Sequence, residues 1–109
     1  MQFRYTVGAE FKDSEMAEAW LAWLRNGHIA EVLAGGATDA EVVRLDGGPN
    51  RFEVTYHFPS REAFAIYERD HAPRLRAEGV KLFPPDRGVV YRRTTGEVIK
   101  VFEKEPRTK

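Results

Sequence analysis

R-F-E-V-T-Y-H-F, residues 51 to 58, reads as a β-strand with one buried face. Phe52, Val54, Tyr56 and Phe58 fall on one side, and Glu53, Thr55 and His57 on the other. Period two in aromatic and β-branched residues is the mark of a half-buried strand. Just before it stands Gly47-Gly48-Pro49-Asn50, a strong turn. Before that, Thr38 to Asp46 reads as a further strand, and the short connection makes the two a hairpin.

Outward from the hairpin, each side carries a helix and then a strand. Gln2 to Phe11 alternates, with Phe3, Tyr5, Val7, Ala9 and Phe11 on one face. Asp13 or Ser14 can cap the helix that follows, and Met16, Ala17, Trp20, Leu21 and Leu24 give it an apolar stripe. Asn26-Gly27 is a stop signal. Ile29, Val32 and Leu33 then predict one or two more turns, ending at Gly35-Gly36. On the other side Ser60 caps a second helix, whose buried side is Ala63, Phe64, Ile66 and Tyr67. Pro73 lacks an N–H and predicts a break close to His71, with a short continuation to Gly79. Pro84 to Gly88 is a loop. Val89 to Phe102 is expected to be one long strand bulged at Gly96, with a terminal hairpin turning at Thr95-Gly96 as the alternative. Glu103 to Lys109 is a charged tail, leaving residues 1–102 as a single expected domain.

The order is β-α-β-β-α-β, an α+β chain of the ferredoxin-like, split βαβ kind: a four-stranded antiparallel sheet with two interrupted helices on one face.

Composition narrows the function. The 109 residues hold 17 basic and 17 acidic side chains, for zero formal net charge. The basic residues are spread out, so no nucleic-acid footprint is expected. Cysteine is absent, which removes thiolate metal sites and a cysteine nucleophile and fits a reducing compartment. The N-terminal stretch alternates and is not expected to act as a signal peptide. No apolar run approaches the ~20 residues of a membrane span. A cytoplasmic protein is the expectation.

Two stretches carry a family likeness. W-L-A-W-L-R-N-G-H-I-A-E-V-L (20 to 33) and D-H-A-P-R-L-R (70 to 76), set in a βαββαβ chain of this length, resemble a bacterial domain-of-unknown-function family of the dimeric α/β-barrel superfamily. That superfamily also holds antibiotic-biosynthesis-type monooxygenases. Ala30 stands where the family pattern has proline. The resemblance implies a homodimer whose two sheets pack into a barrel with the helices outside, and it implies no reaction.

The candidate site residues follow from the breaks. His28 and His71 each sit at a helix interruption. The two helices run in the same direction over one sheet, so both imidazoles are expected near one end and could converge on one cleft. Histidine is the usual acid or base near neutral pH, and it is equally a helix-capping residue. Tyr5, Trp20, Tyr56 and Tyr67, with Phe58 and Phe64, either line an apolar ligand pocket or form the core. His57 lies on the opposite face with Arg4, Thr6, Arg44 and Arg92, which is the interior of a dimer or a solvated face. No metal site is expected, because His57 points away from the other two histidines, and no cofactor is expected. Two readings stand side by side: a dimeric module that binds a small ligand or is purely structural, and a cofactor-independent monooxygenase- or isomerase-like enzyme using His28 or His71 as base.

Overall fold

Four strands, β1 (Phe3–Phe11), β2 (Asp39–Arg44), β3 (Arg51–Phe58) and β4 (Val89–Glu97), form one antiparallel sheet in the order β2-β3-β1-β4. The structure is a computed structural model and describes residues 1–105. Helices lie between the strands as the sequence order requires. After β1 come α1 (Ser14–Trp23), a single π-type turn (Leu24–His28) and α2 (Ile29–Ala34). After β3 come α3 (Arg61–Asp70) and α4 (Ala72–Leu82). The fold is α+β and ferredoxin-like.

Register decides which side chains meet. Tyr5 pairs with Tyr56 of β3 and Thr95 of β4, and Val7 pairs with Val54 and Arg93. The inner face therefore carries Phe3, Tyr5, Ala9 and Phe11 against Phe52, Val54, Tyr56 and Phe58, all buried. The helices cover this face. Trp20 packs on Phe11 and Phe52 at ring separations of 5.3 and 5.8 Å, and Phe58 meets both Phe64 and Tyr67 at 5.2 Å. Burying each such ring contributes roughly 1.5–3 kcal/mol. The outer face carries Arg4, Thr6, Thr55, His57 and Arg92. Thr6 and Thr55 hydroxyls bond across it at 3.0 Å, and His57 Nδ1 lies 2.8 Å from Asp39. Arg44, expected there, instead stands over the Phe52 ring at 4.9 Å, because it shares strand parity with Val42 and Ala40.

Helix termini follow local chemistry. Asp13 accepts a bond from the Glu15 N–H at 2.9 Å, and Ser60 accepts one from the Ala63 N–H at 3.0 Å, so each satisfies a free donor at a helix start. Gly27 takes φ 147° in the π-type turn, a value that a side chain would strain.

The break expected close to His71 is there (φ −125°, ψ −42°), and Pro73 is the second residue of α4, where a missing N–H costs nothing. Two expectations change. The continuation runs through Gly79 to Leu82. And β4 ends at Glu97 without a bulge or hairpin: its register with β1 is unbroken from Phe11↔Val89 to Phe3↔Glu97, with Gly96 opposite Arg4. One further bond joins the Val98 N–H to the Gln2 carbonyl. Of the expected charged tail, residues 103–105 are exposed without regular structure and residues 106–109 lie outside the described residues.

Candidate functional site

Between the inner face of the sheet and helices α1, α3 and α4 lies a cavity. It is partly open to solvent and measures about 50 Å³, room for a few waters.

The sheet supplies the floor. Tyr5, Val7, Val54 and Tyr56 come from the two central strands, and Tyr91 and Arg93 from β4. Tyr5 and Tyr56 are cross-strand partners, with rings 5.9 Å apart and 21° from parallel. The helices supply the walls: Trp20 and Trp23 from α1, His28 from the π-type turn, Tyr67 from α3, and Arg76 and Gly79 from α4. Across the break at His71, Glu68 of α3 pairs with Arg76 of α4.

The Tyr5 hydroxyl is where the polar groups meet. Arg93 Nε donates to the Tyr5 oxygen at 3.1 Å, and an Arg76 Nη donates to it at 3.4 Å. Arg76 is also ion-paired with Glu68 across the helix break. Desolvation works against the Arg76 charge, but the bonds to Glu68 and Tyr5 outweigh it and hold the guanidinium protonated. Burial pushes the phenols of Tyr56 and Tyr67 well above their ordinary range, so both remain neutral.

His28 stacks on Trp23 with ring centroids 4.0 Å apart. Burial lowers its pKa to about 4, against the opposing pull of the Glu78 and Glu31 carboxylates. The imidazole is therefore neutral at pH 7. Among the described residues its Nδ1 has no hydrogen-bond partner, and neither does Nε of Arg76.

The expected site residues are thus sorted by the fold. Tyr5, Trp20, Tyr56, Tyr67 and His28 all line the cavity. His71 does not: its ring lies against Tyr67, at 6.3 Å and 14°, on the side of Gly35. Neither histidine gives a side-chain cap to the helix it precedes. Arg76, Arg93 and Trp23 were not singled out from the sequence as site residues. For Arg93 a signal existed, since it shares strand parity with Val89 and Tyr91 and so faces the helices. For Arg76 there was none, because its partners Glu68 and Tyr5 reach it only through the tertiary fold. Among the described residues no three His, Asp or Glu side chains are grouped as metal ligands, and no helix is long and apolar enough to cross a membrane.

This architecture is the ferredoxin-like α+β fold. A dimeric ferredoxin-like protein from an uncultured marine organism superposes with a TM-score of 0.68 at 15% identity, over 93% of this chain and 98% of that one. SnoaB, a cofactor-independent oxygenase from Streptomyces nogalater, gives 0.68 at 10% identity, over 94% and 98%. A protein from Deinococcus radiodurans, provisionally named an antibiotic biosynthesis monooxygenase, gives 0.63 at 17%, over 94% and 99%. At such identities the likeness establishes the fold alone. The chain itself belongs to the family described as domain of unknown function DUF4286, whose model matches residues 5–98. No curated protein matches the sequence significantly.

Proposed function

We propose that this protein is a homodimeric small-molecule-binding module, and that the cleft above Tyr5 takes a small planar aromatic ligand. The observation that carries this reading is the convergence of two guanidinium groups on one tyrosine hydroxyl inside an aromatic-walled cavity. Flat apolar walls with few, convergent polar groups are what a planar ligand with one polar end requires. Dimerisation draws on the neighbour described as dimeric and on the polar outer sheet face, where the Thr6–Thr55 bond and the His57–Asp39 contact stand ready for a second sheet.

The test is a screen of single-ring aromatic fragments followed through the indole N–H resonances of Trp20 and Trp23. Selective shifts of these two signals are expected. Shifts confined to outer-face residues such as Thr55, or none at all at millimolar fragment, would overturn the reading. Light scattering should report twice the 12.5 kDa chain mass.

A second reading, oxygenase- or isomerase-like chemistry with His28 as base, draws on the neutral imidazole with its unpartnered Nδ1. A base of pKa about 4 has little driving force at pH 7, and this favours binding over proton removal. Turnover of a bound aromatic that vanishes in His28→Ala would reverse that order.

A further inference from the structure

We infer that the ligand of this cleft carries a single negative charge, in the form of a carboxylate attached to its aromatic ring, held between Arg76 and Arg93. The inference rests on the binding role proposed above and adds the charge and the functional group.

The count of formal charge around Tyr5 leads there. Arg76 and Arg93 are both cationic and both donate to the Tyr5 hydroxyl. Glu68 is paired with Arg76. Among the described residues Arg93 has no carboxylate within ion-pair distance; its guanidinium lies instead 5.7 Å from the Tyr91 ring. Of the other groups on the cavity wall, Tyr56, Tyr67 and His28 are neutral. Arg93 is exposed, so water solvates its charge in the free protein, and an anion entering the cleft would meet it without displacing a carboxylate. Glu78 and Glu31 act on His28 from outside the cavity; neither lines it. A tyrosine hydroxyl that accepts from two guanidinium groups satisfies only one N–H of each. Nε of Arg76 is buried and has no partner, and a buried unpaired donor costs about 1–3 kcal/mol. A monoanion would pair with Arg93 and with the Arg76 Nη that points at Tyr5; the buried Nε of Arg76 is closed to it. The planar fork of arginine matches the two oxygens of a carboxylate. A dianion such as phosphate would over-compensate by one charge.

The test compares benzoate with benzamide, which has the same shape and no charge, by titration into the full chain with detection at the Trp20 and Trp23 indole signals. Benzoate is expected to bind about tenfold more tightly, as suits one charge-assisted contact. Arg93→Gln should weaken benzoate by more than it weakens benzamide and so remove most of that preference. Glu68→Gln, which frees Arg76 from its carboxylate, should tighten benzoate by roughly threefold. Equal affinity for benzoate and benzamide in the unaltered protein would overturn the charge inference while leaving a cleft that binds aromatic ligands. Absence of binding by either would overturn both.

Discussion

Gly35 lies directly against the ring of His71. A Cβ placed on Gly35 would stand 3.1 Å from His71 Cγ and 3.0 Å from Tyr67 Cδ1. Its φ of −81° is one that any residue adopts, so the glycine is there for space and not for backbone freedom. The contact ties the end of α2 to the junction between α3 and α4.

Gly35→Ala should therefore overpack this junction. A loss of about 1–3 kcal/mol is expected, because Tyr67 is buried and cannot retreat. Urea unfolding measures it, and His71→Ala in the same background should return part of the loss.

Gly79 makes a parallel contact in the interior of α4, where a Cβ would lie 3.1 Å from Trp23. Alanine gains about 0.5–1 kcal/mol of helix propensity over glycine. Here Trp23 is held between His28, at 4.0 Å, and Phe83, at 5.6 Å. Gly79→Ala is expected to destabilise on balance by about 1 kcal/mol and to displace Trp23. Chemical unfolding and a shift in tryptophan emission would report the two effects.

His28 makes stability depend on pH. In the unfolded chain it takes up a proton near its ordinary value of 6.5, and in the folded protein only near 4. Between those values the unfolded state binds more protons, so the contribution of His28 to stability is undiminished above pH 6.5 and falls as the pH drops toward 4. The full loss is at most roughly 3 kcal/mol. His28→Gln, which does not titrate, should show a flatter dependence of the urea midpoint between pH 4 and 6.5. Identical slopes for the two proteins would refute the assignment.

Ser60→Ala should remove the bond from the Ala63 N–H at the start of α3 and cost about 1 kcal/mol. Ser60→Asp should retain most of the stability. Thermal denaturation of the three proteins checks the order.

Much of the fold was legible before any coordinates. Period two in 3–11 and 51–58 places the buried faces of β1 and β3, and Asp13 and Ser60 mark where helices begin. These signals are local: a strand's alternation and a cap's hydrogen bond involve residues a few positions apart. The sequence also marked breaks near Asn26-Gly27 and His71 correctly. It overran the end of β4, because a strand lasts only as long as its ladder of bonds to a neighbour, which the local pattern does not report.

The site divides along the same line. The sequence by itself determined the aromatic inner face that carries Tyr5 and Tyr56, the polar outer face that carries His57, and the two interrupted helices. Only the tertiary structure decided that His28 enters the cavity while His71 turns to Gly35, and that Arg76 and Arg93, 71 and 88 residues from Tyr5 along the chain, meet at its hydroxyl. Periodicity reports which face a residue shares. It carries no information about which distant residue stands opposite, and that is set by sheet register and by the angle at which each broken helix resumes.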